Sequence, residues 1–256
     1  MRSLPFSLAV PDPFRFIAVM TAAAIQSSDP APAFIRVNGA ELVADVSGAA
    51  FLEADRTLLV ADLHFEKGSA YAMRGQLLPP YDTAATIARL AAAIARTGAR
   101  RVIALGDSFH DLGAHGRMHA RDVEALKGLV RSVADWVWIE GNHDPAPPPN
   151  LGGACAGTLT LGALTLRHEP QAGAAPGEVA GHLHPCARVA GRGRSVRRRC
   201  FLSDGTRLVL PAFGAYAGGL NARDRAFAAL FDTPPSAWML GRERVYAVPA
   251  ARCLGD

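Results

Sequence analysis

Apolar residues along this chain follow two rhythms. In FIRVNGAELVAD, residues 34–45, they alternate on both sides of Asn38-Gly39, a pair that favours tight hairpin turns, so two short strands are expected there. Thr57 to Val60, RVIAL at 101–105 and WVWI at 136–139 are continuous apolar runs of the length of buried strands. Between them the period lengthens. Ile87, Leu90, Ala91 and Ile94 share one helical face, with Asp82 or Thr83 placed to cap its start and Gly98 to end it. Val123, Leu126, Val130 and Val133 outline a second helix. The order strand, helix, strand, helix, strand implies a parallel sheet. Ligands of such sheets bind beyond the carboxyl ends of the strands, so ADLH, GDSFHD and GNHD, which follow three of these runs, are expected to converge on one edge. After Pro145 the chain becomes β-rich: TLTLGALTLRH reads as a hairpin, followed by EVAGHLH, an Arg-rich connection and RLVLPAFG. A short helix, RDRAFAALF, and a strand pair turning at Gly241 close the sequence. The fold class is α/β (α+β).

Composition narrows this picture. At 256 residues and 50% hydrophobic, the chain can bury a full core as one large domain. Residues 1–33 differ: their apolar stretch is broken by Pro5, Pro11 and Pro13, which reads as a disordered leader, with Met20 an alternative initiator and residues 34–256 a single domain. No run approaches the roughly 18 apolar residues of a membrane span. Cys155, Cys186, Cys200 and Cys253 show no CxxC spacing, which fits a reducing, cytoplasmic setting better than a disulfide framework. The net charge is +4 and nearly all the positive charge is Arg, which suits bidentate contact with phosphate or carboxylate; a GC-rich genome would enrich Arg equally well.

The polar clusters carry the chemistry. Asp62 and His64, spaced D-x-H, alternate at a strand end, so both side chains face one side and can chelate one ion. Taken singly, each such pair is more simply a structural contact. Together, the strand exits hold Asp62, His64, Asp107, Asn142, His143, His168, His182 and His184 in the order DxH, GD, GNHD, H, GHxH, accounting for five of the eight histidines. His182 and His184 are expected to alternate on a strand as Asp62 and His64 do.

This ordered series, from about Val60 to Gly214, resembles the calcineurin-like metallophosphoesterases. The resemblance implies a sandwich of two β-sheets flanked by helices and two divalent metal ions. Asp62, His64, Asp107 and His184 would hold the first, while Asp107, Asn142, His168 and His182 would hold the second, with Asp107 as the bridge. Two metals a few ångströms apart can clamp an in-line displacement at phosphorus, with the bridging water or hydroxide as nucleophile. Mixed imidazole, carboxylate and amide donors favour Mn, Fe or Zn over Mg, and Mn is expected. By the same resemblance His143 would be the general acid, with Asp144 placed to orient it and keep it protonated.

Substrate class is open at the level of fold, because mono- and diesterases share these ligands. Many phosphatases of the family carry GDxxDRG, whereas here His110 and Asp111 follow Asp107 with no Arg after them. GDxFH resembles the recombination-repair nucleases of the superfamily. His110 would either contact a diester phosphate or leaving group, or hydrogen-bond a metal ligand; Asp111 would orient His110 or cap the next turn. The blocks ADLHFEKGSAYAMRG, GDSFHD, IEGNHDP, EVAGHLHP and PAFGAYAGGLN are similar to the bacterial ligase-associated DNA damage response endonucleases. This implies a Mn-dependent phosphodiesterase acting on single-stranded or structured DNA in repair, alongside a DNA ligase, a helicase and an exonuclease. The alternative is a phosphomonoesterase acting on nucleotides or phosphoproteins. RVAGRGRSVRRR, with Arg188, Arg192, Arg194, Arg197, Arg198 and Arg199, either leads a nucleic-acid backbone toward the metals or is a solvated hairpin. Arg74 and Lys67 are further candidates for phosphate contact. Asn221 and Tyr216 fit packing better than substrate contact, and His115 and His119 fit solvated positions.

Overall fold

Side-chain alternation along the strands decides what each layer contains. The computed structural model describes residues 31–146, 148–191 and 193–256, so most of the expected leader, Met20 and Arg192 lie outside the described residues. The first hairpin forms from β1 (Ala33–Val37) and β2 (Ala40–Ala44), with Asn38 and Gly39 at φ 47° and 85° in its turn. Then come β3 (Ala50–Leu52), β4 (Thr57–Val60), α1 (Lys67–Ala72), α2 (Asp82–Thr97), β5 (Arg101–Leu105), α3 (Ala114–Arg117), α4 (Ala120–Arg131), β6 (Asp135–Ile139) and β7 (Ala154–Ala156). These strands lie in chain order in one sheet, antiparallel up to β4 and parallel from β4 to β7.

The second sheet is built from β8 (Leu159–Leu161), β9 (Leu164–Leu166), β10 (Glu178–Ala180), β11 (Cys186–Gly191), β12 (Arg194–Ser203), β13 (Leu208–Val209), β14 (Ser236–Leu240) and β15 (Val245–Pro249), with α5 (Arg225–Ala228) before β14. Its order is β15-β14-β12-β13-β10-β9-β8, and β11 pairs with β12. The Arg-rich connection is thus the tip of a long antiparallel hairpin, in which Cys186 faces Arg199 and Gly191 faces Arg194.

The continuous apolar runs are buried on both faces, which is why they do not alternate in polarity. Leu58, Val60, Val102, Ala104, Trp136 and Trp138 point to the core under α2 and α4. Their neighbours Leu59, Ala61, Ile103, Leu105, Val137 and Ile139 point the other way, into a core shared with Leu166, Val179, Phe201 and Leu208 of the second sheet. Each such fully buried Leu or Ile contributes roughly 1.5–3 kcal/mol of transfer free energy. A third core, around Leu202, Phe227, Leu230 and Ala237, covers the outer face of the second sheet. The result is two mixed β-sheets packed face to face and flanked by helices, a phosphoesterase-like sandwich. Where the chain leaves β4, Ala61 pairs with Ala212, Phe213 N–H donates to the Ala61 carbonyl (2.8 Å) and Gly214 N–H to that of Asp62 (3.0 Å), so the sheets are stitched together at the start of ADLH.

Two expectations need correction. Asp82 and Thr83 do not cap α2, whose N-cap is Tyr81 with no side-chain cap bond. Their side chains turn inward and hold the chain before α1: Thr83 Oγ1 accepts from Glu66 N–H (2.9 Å) and donates to Glu66 Oε1 (2.8 Å), while Asp82 Oδ2 accepts from Gly68 N–H (2.9 Å). The second concerns D-x-H and GHxH. β4 ends at Val60 and β10 at Ala180, so neither pair alternates on a strand. Asp62, His64, His182 and His184 sit in the loops beyond, all with positive φ, between 46° and 68°.

Candidate metal centre

Left-handed backbone at a residue with a side chain is uncommon and costs on the order of 1–3 kcal/mol, so it persists only where the surroundings impose it. Asp62, His64, Glu66, Asp107, His182 and His184 all adopt it. A backbone mesh imposes it here. Asp62 N–H donates to the Gly106 carbonyl (3.2 Å), His64 N–H to that of Asp107 (2.9 Å), Phe65 N–H to that of Ser108 (2.8 Å) and Gly181 N–H to that of His168 (2.9 Å). The glycines of GD, GN and GH are spaces as much as turns. A Cβ on Gly181 would lie 2.6 Å from Asp62 Oδ2, one on Gly106 would run into the His168 ring, and one on Gly141 would run into Asp107.

With the loops fixed, seven side chains meet. Asp62, His64 and His184 form one group: His184 Nε2 lies 3.1 Å from Asp62 Oδ1 and 3.3 Å from His64 Nε2. Asp107, His168 and His182 form a second: His168 Nε2 lies 3.4 Å from Asp107 Oδ2, 3.1 Å from His182 Nδ1 and 2.9 Å from Asn142 Oδ1. Edges of about 3 to 3.4 Å between donor atoms are what metal–ligand bonds of about 2.1 Å enclose. His168 Nδ1 can only donate to the Leu105 carbonyl, at 3.0 Å, which leaves Nε2 to face the cluster, the usual way a ligating imidazole is oriented. The two groups touch, because His182 N–H donates to both Asp62 oxygens (3.2 and 3.0 Å). The donor set fits a pair of divalent cations.

Electrostatics agree. Burial, helped by the charges of His184 and Lys67, pushes His64 down to about 3 against the pull of Asp62 and Asp107, so its imidazole is neutral. Burial also lowers His182. Asp107 falls to about 2, because its contacts with His168 and the His143 N–H outweigh burial, and His168 in turn rises to about 9. Without a cation, His168 therefore holds a proton against the Asp107 carboxylate, a positive charge at a position where a metal would put one. Burial, and then the charge of Asp107, raises Asp144 to about 7.

The other singled-out residues divide. His143 is exposed at the rim. Its N–H donates to Asp107 Oδ1 (2.9 Å), its Nδ1 donates to the His110 carbonyl (2.8 Å), and its Nε2 faces the centre, 3.9 Å from Asp107 Oδ2. The group that orients its ring is thus the His110 carbonyl, and not Asp144, whose Oδ2 instead accepts from Phe109 N–H (3.0 Å) and fixes the GDSF turn. The His110 ring stacks on that of His143 (5.4 Å) and lies 5.5 Å from that of His64. Burial and then Lys67 lower His110 to about 4. Asp111 caps the next turn through Gly113 N–H (2.9 Å) and pairs with Arg117 (2.7 Å). His119 caps α4, while Tyr216 and Asn221 bond the Pro79 carbonyl and the C-terminal segment.

Of the arginines, Arg74 is exposed beyond α1, near enough to His110 to lower its pKa. Arg197 and Arg198 are exposed, Arg197 sharing its guanidinium with the Gly219 carbonyl (2.7 Å) and Asp256 (3.3 Å). Arg199 departs from the expected role in substrate contact. Its Nη1 is half-buried against the carbonyls of Ala212, Phe213 and Gly214, where it braces the segment that supports Asp62. A groove of 450 Å³ runs along Lys67, His182, His184 and Gly218 to Leu220. It shares Gly218 with a groove of 280 Å³ lined by Cys186, Ala217 and Arg197 to Arg199. The apolar hollow of 390 Å³ between Phe227, Phe231 and Pro235 contains none of these residues.

No protein-family model matches this chain, and no curated protein matches it. Among solved structures, the Pseudomonas putida nuclease MPE superposes on it with a TM-score of 0.67 and 31% identity, covering 85% of this chain and 100% of that one. This chain belongs to the nuclease MPE family. A protein of unknown function from Aquifex aeolicus, AQ665, aligns at 12% identity and a TM-score of 0.32 over 44% of this chain and 60% of that one, too little to bear on either fold or site. The contacts of Thr83 with Glu66 and of Asp82 with Gly68, behind Lys67, are the features of the centre least visible in the sequence, because a polar pair at a helix start reads first as a cap.

Proposed function

We propose that this protein is a dinuclear-metal-dependent phosphodiesterase, a DNA endonuclease acting in repair. The observation that carries it is the pair of touching Asp/His groups at the carboxyl ends of the parallel strands, in a chain whose relative is a nuclease. Asp62, His64 and His184 would hold one ion, and Asn142, His168 and His182 the other. Asp107 would join them, having one oxygen toward His168 and the other fixed by the His143 N–H. Mn is the proposed ion, with Fe and Zn satisfied by the same donors. Bound there, the pair would supply Lewis acidity to the phosphate and an activated water as nucleophile.

The remaining work belongs to side chains. With Nδ1 committed to the His110 carbonyl, His143 presents Nε2 to the phosphate and protonates the leaving oxygen. Asp144 and His110 act by position, Asp144 fixing the GDSF turn and His110 holding and stacking against the His143 ring. The grooves lead from His182 and His184 to Arg197 and Arg198, a path for an anionic backbone, with Arg74 near His110 as a further contact. The repair setting, with a DNA ligase, a helicase and an exonuclease as companions in the cytoplasm, is supported by the motif resemblance.

The test compares an aryl phosphodiester, an aryl monophosphate and circular single-stranded DNA, each with added Mn. Diester turnover and nicking of the circle are expected, and monoester preference without nicking would overturn the assignment. His143→Ala should cut turnover about 10²- to 10³-fold with two metals retained; loss of metal instead would refute the division of roles.

A further inference from the structure

Lys67 is held more firmly than a surface lysine needs to be. It lies three residues past His64, at the first position of α1, and lines the groove that also contains His182 and His184. Its charge reaches both His64 and His110. Among the described residues no carboxylate forms an ion pair with it, although the chain is rich in such pairs elsewhere.

The turn on either side of it is fixed by buried groups. Glu66, before it, is in the left-handed region at φ 66° and is only 8% exposed. Its N–H and carboxylate are both taken by Thr83, the N–H of Gly68 is taken by Asp82, and a Cβ on Gly68 would lie 2.7 Å from the Asp82 carboxylate. Ser69 closes the turn by donating to the Glu66 carbonyl (3.0 Å) and is itself bonded by Arg117 (3.0 Å). Thr83 and Asp82 are 3% and 6% exposed, so α2 commits two buried polar side chains to the backbone around residue 67 and leaves its own first turn uncapped. Strain of this kind, overdetermined by its surroundings, is characteristic of groups that must be pre-positioned.

We propose that Lys67 contacts the substrate phosphate: its ammonium meets a non-bridging oxygen of the phosphoryl group in the groove beside His184, and the Glu66–Thr83 and Gly68–Asp82 contacts are the device that holds it there. This rests on the phosphodiesterase reading above and adds a residue to it. A phosphodiester gains negative charge as it passes to the five-coordinate state, so a fixed cation favours the transition state over the ground state.

The experiment uses the Mn-loaded protein and two readouts, affinity for inorganic phosphate by calorimetry and hydrolysis of a small aryl diester, in Lys67→Ala, Lys67→Gln and Lys67→Arg. With two Mn retained and an unchanged circular-dichroism spectrum, the Ala and Gln variants should bind phosphate about tenfold more weakly or worse, and hydrolyse the diester about 10- to 100-fold more slowly. Lys67→Arg should recover most of the phosphate affinity. Unchanged phosphate affinity in Ala and Gln overturns the proposal, and so does loss of Mn in both, which would make Lys67 a support of the ligands. If the wild type cleaves no diester while the variants still lose phosphate affinity, the phosphodiesterase reading falls and the Lys67 contact stands.

Discussion

The metal centre and the arginine hairpin are both polar regions of this molecule, and they are built in opposite ways. At the centre, Asp62, His64, Asp107 and His168 are all at most 5% exposed, five of the ligand-type residues carry left-handed backbone, and the amides of Asp62, His64, Phe65 and Gly181 are hydrogen-bonded to other strand exits. On the hairpin, Arg194, Arg197 and Arg198 stand in solvent on a regular antiparallel ladder without strain. Fixed geometry is what chemistry at one phosphorus atom demands, because a displaced donor loses most of its effect. A mobile cation suffices where the partner is a uniformly charged backbone. The difference is therefore one of task, and it sets how far each region tolerates change.

The largest effect should come from the shared carboxylate. Asp107→Ala removes the partner of His168 and the acceptor of the His143 N–H at once, so turnover should fall by at least about 10³-fold together with loss of bound metal, measured by elemental analysis of the purified protein. Retention of both metals would break the picture of a centre organised around this residue. Next comes Gly181→Ala. The new Cβ would press on Asp62 Oδ2 at 2.6 Å and on the Ala61 Cβ at 2.7 Å, and overpacking of this kind costs roughly 1–3 kcal/mol. Thermal unfolding should register the loss. Substitution at exposed Gly193 of the hairpin, where nothing lies within 4 Å of a new Cβ, sharpens the contrast, since any cost there comes only from its φ of 74°.

How much of each region the sequence made legible follows from the same difference. Strand exits are readable because apolar runs such as VIAL and WVWI end abruptly in donors, and the parallel sheet follows from continuous apolar runs that are buried on both faces. Spacing alone cannot report φ, so the D-x-H pairs read as strand ends, whereas Asp62 and His64 are turned into the left-handed region. Asp82 and Thr83 read as caps because local pattern sees the helix they start and not the chain packed against it. In the hairpin the arginines are alike in sequence; the carbonyls at Ala212 to Gly214 draw Arg199 inward, a tertiary fact with no local signal.

A third effect separates the two regions by pH. His168 has a folded pKa of about 9, above its ordinary 6.5, so its pairing with Asp107 stabilises the metal-free fold fully below about pH 6.5 and is lost as pH rises through 9. Asp107, lowered to about 2, gives the matching acid limb, present above about pH 4 and lost below it. In chelator, thermal stability should decline between pH 6.5 and 9 by an amount worth about 2 kcal/mol, and added Mn should abolish the decline, because cation binding displaces the proton. Parallel curves with and without Mn would show that His168 is not where the cation binds. The hairpin should add nothing to this decline.

The smallest effect tests the hairpin itself. Arg197→Ala with Arg198→Ala removes two exposed cations while leaving the ladder and the metal ligands in place, so hydrolysis of a small aryl diester should be unchanged within twofold. DNA affinity should fall only several-fold at moderate salt, and the slope of log affinity against log salt should flatten by about 1 to 2, one contact per arginine. Arg199→Ala belongs to the other region: by freeing the carbonyls of Ala212 to Gly214 it should lower thermal stability and weaken metal binding without the same change in salt slope. If instead all three arginines shifted the slope equally and none affected stability, the division between a rigid centre and a loose approach would fail at the residue where the two meet, since Arg199 shares its groove with Arg197 and its hydrogen bonds with the segment under Asp62.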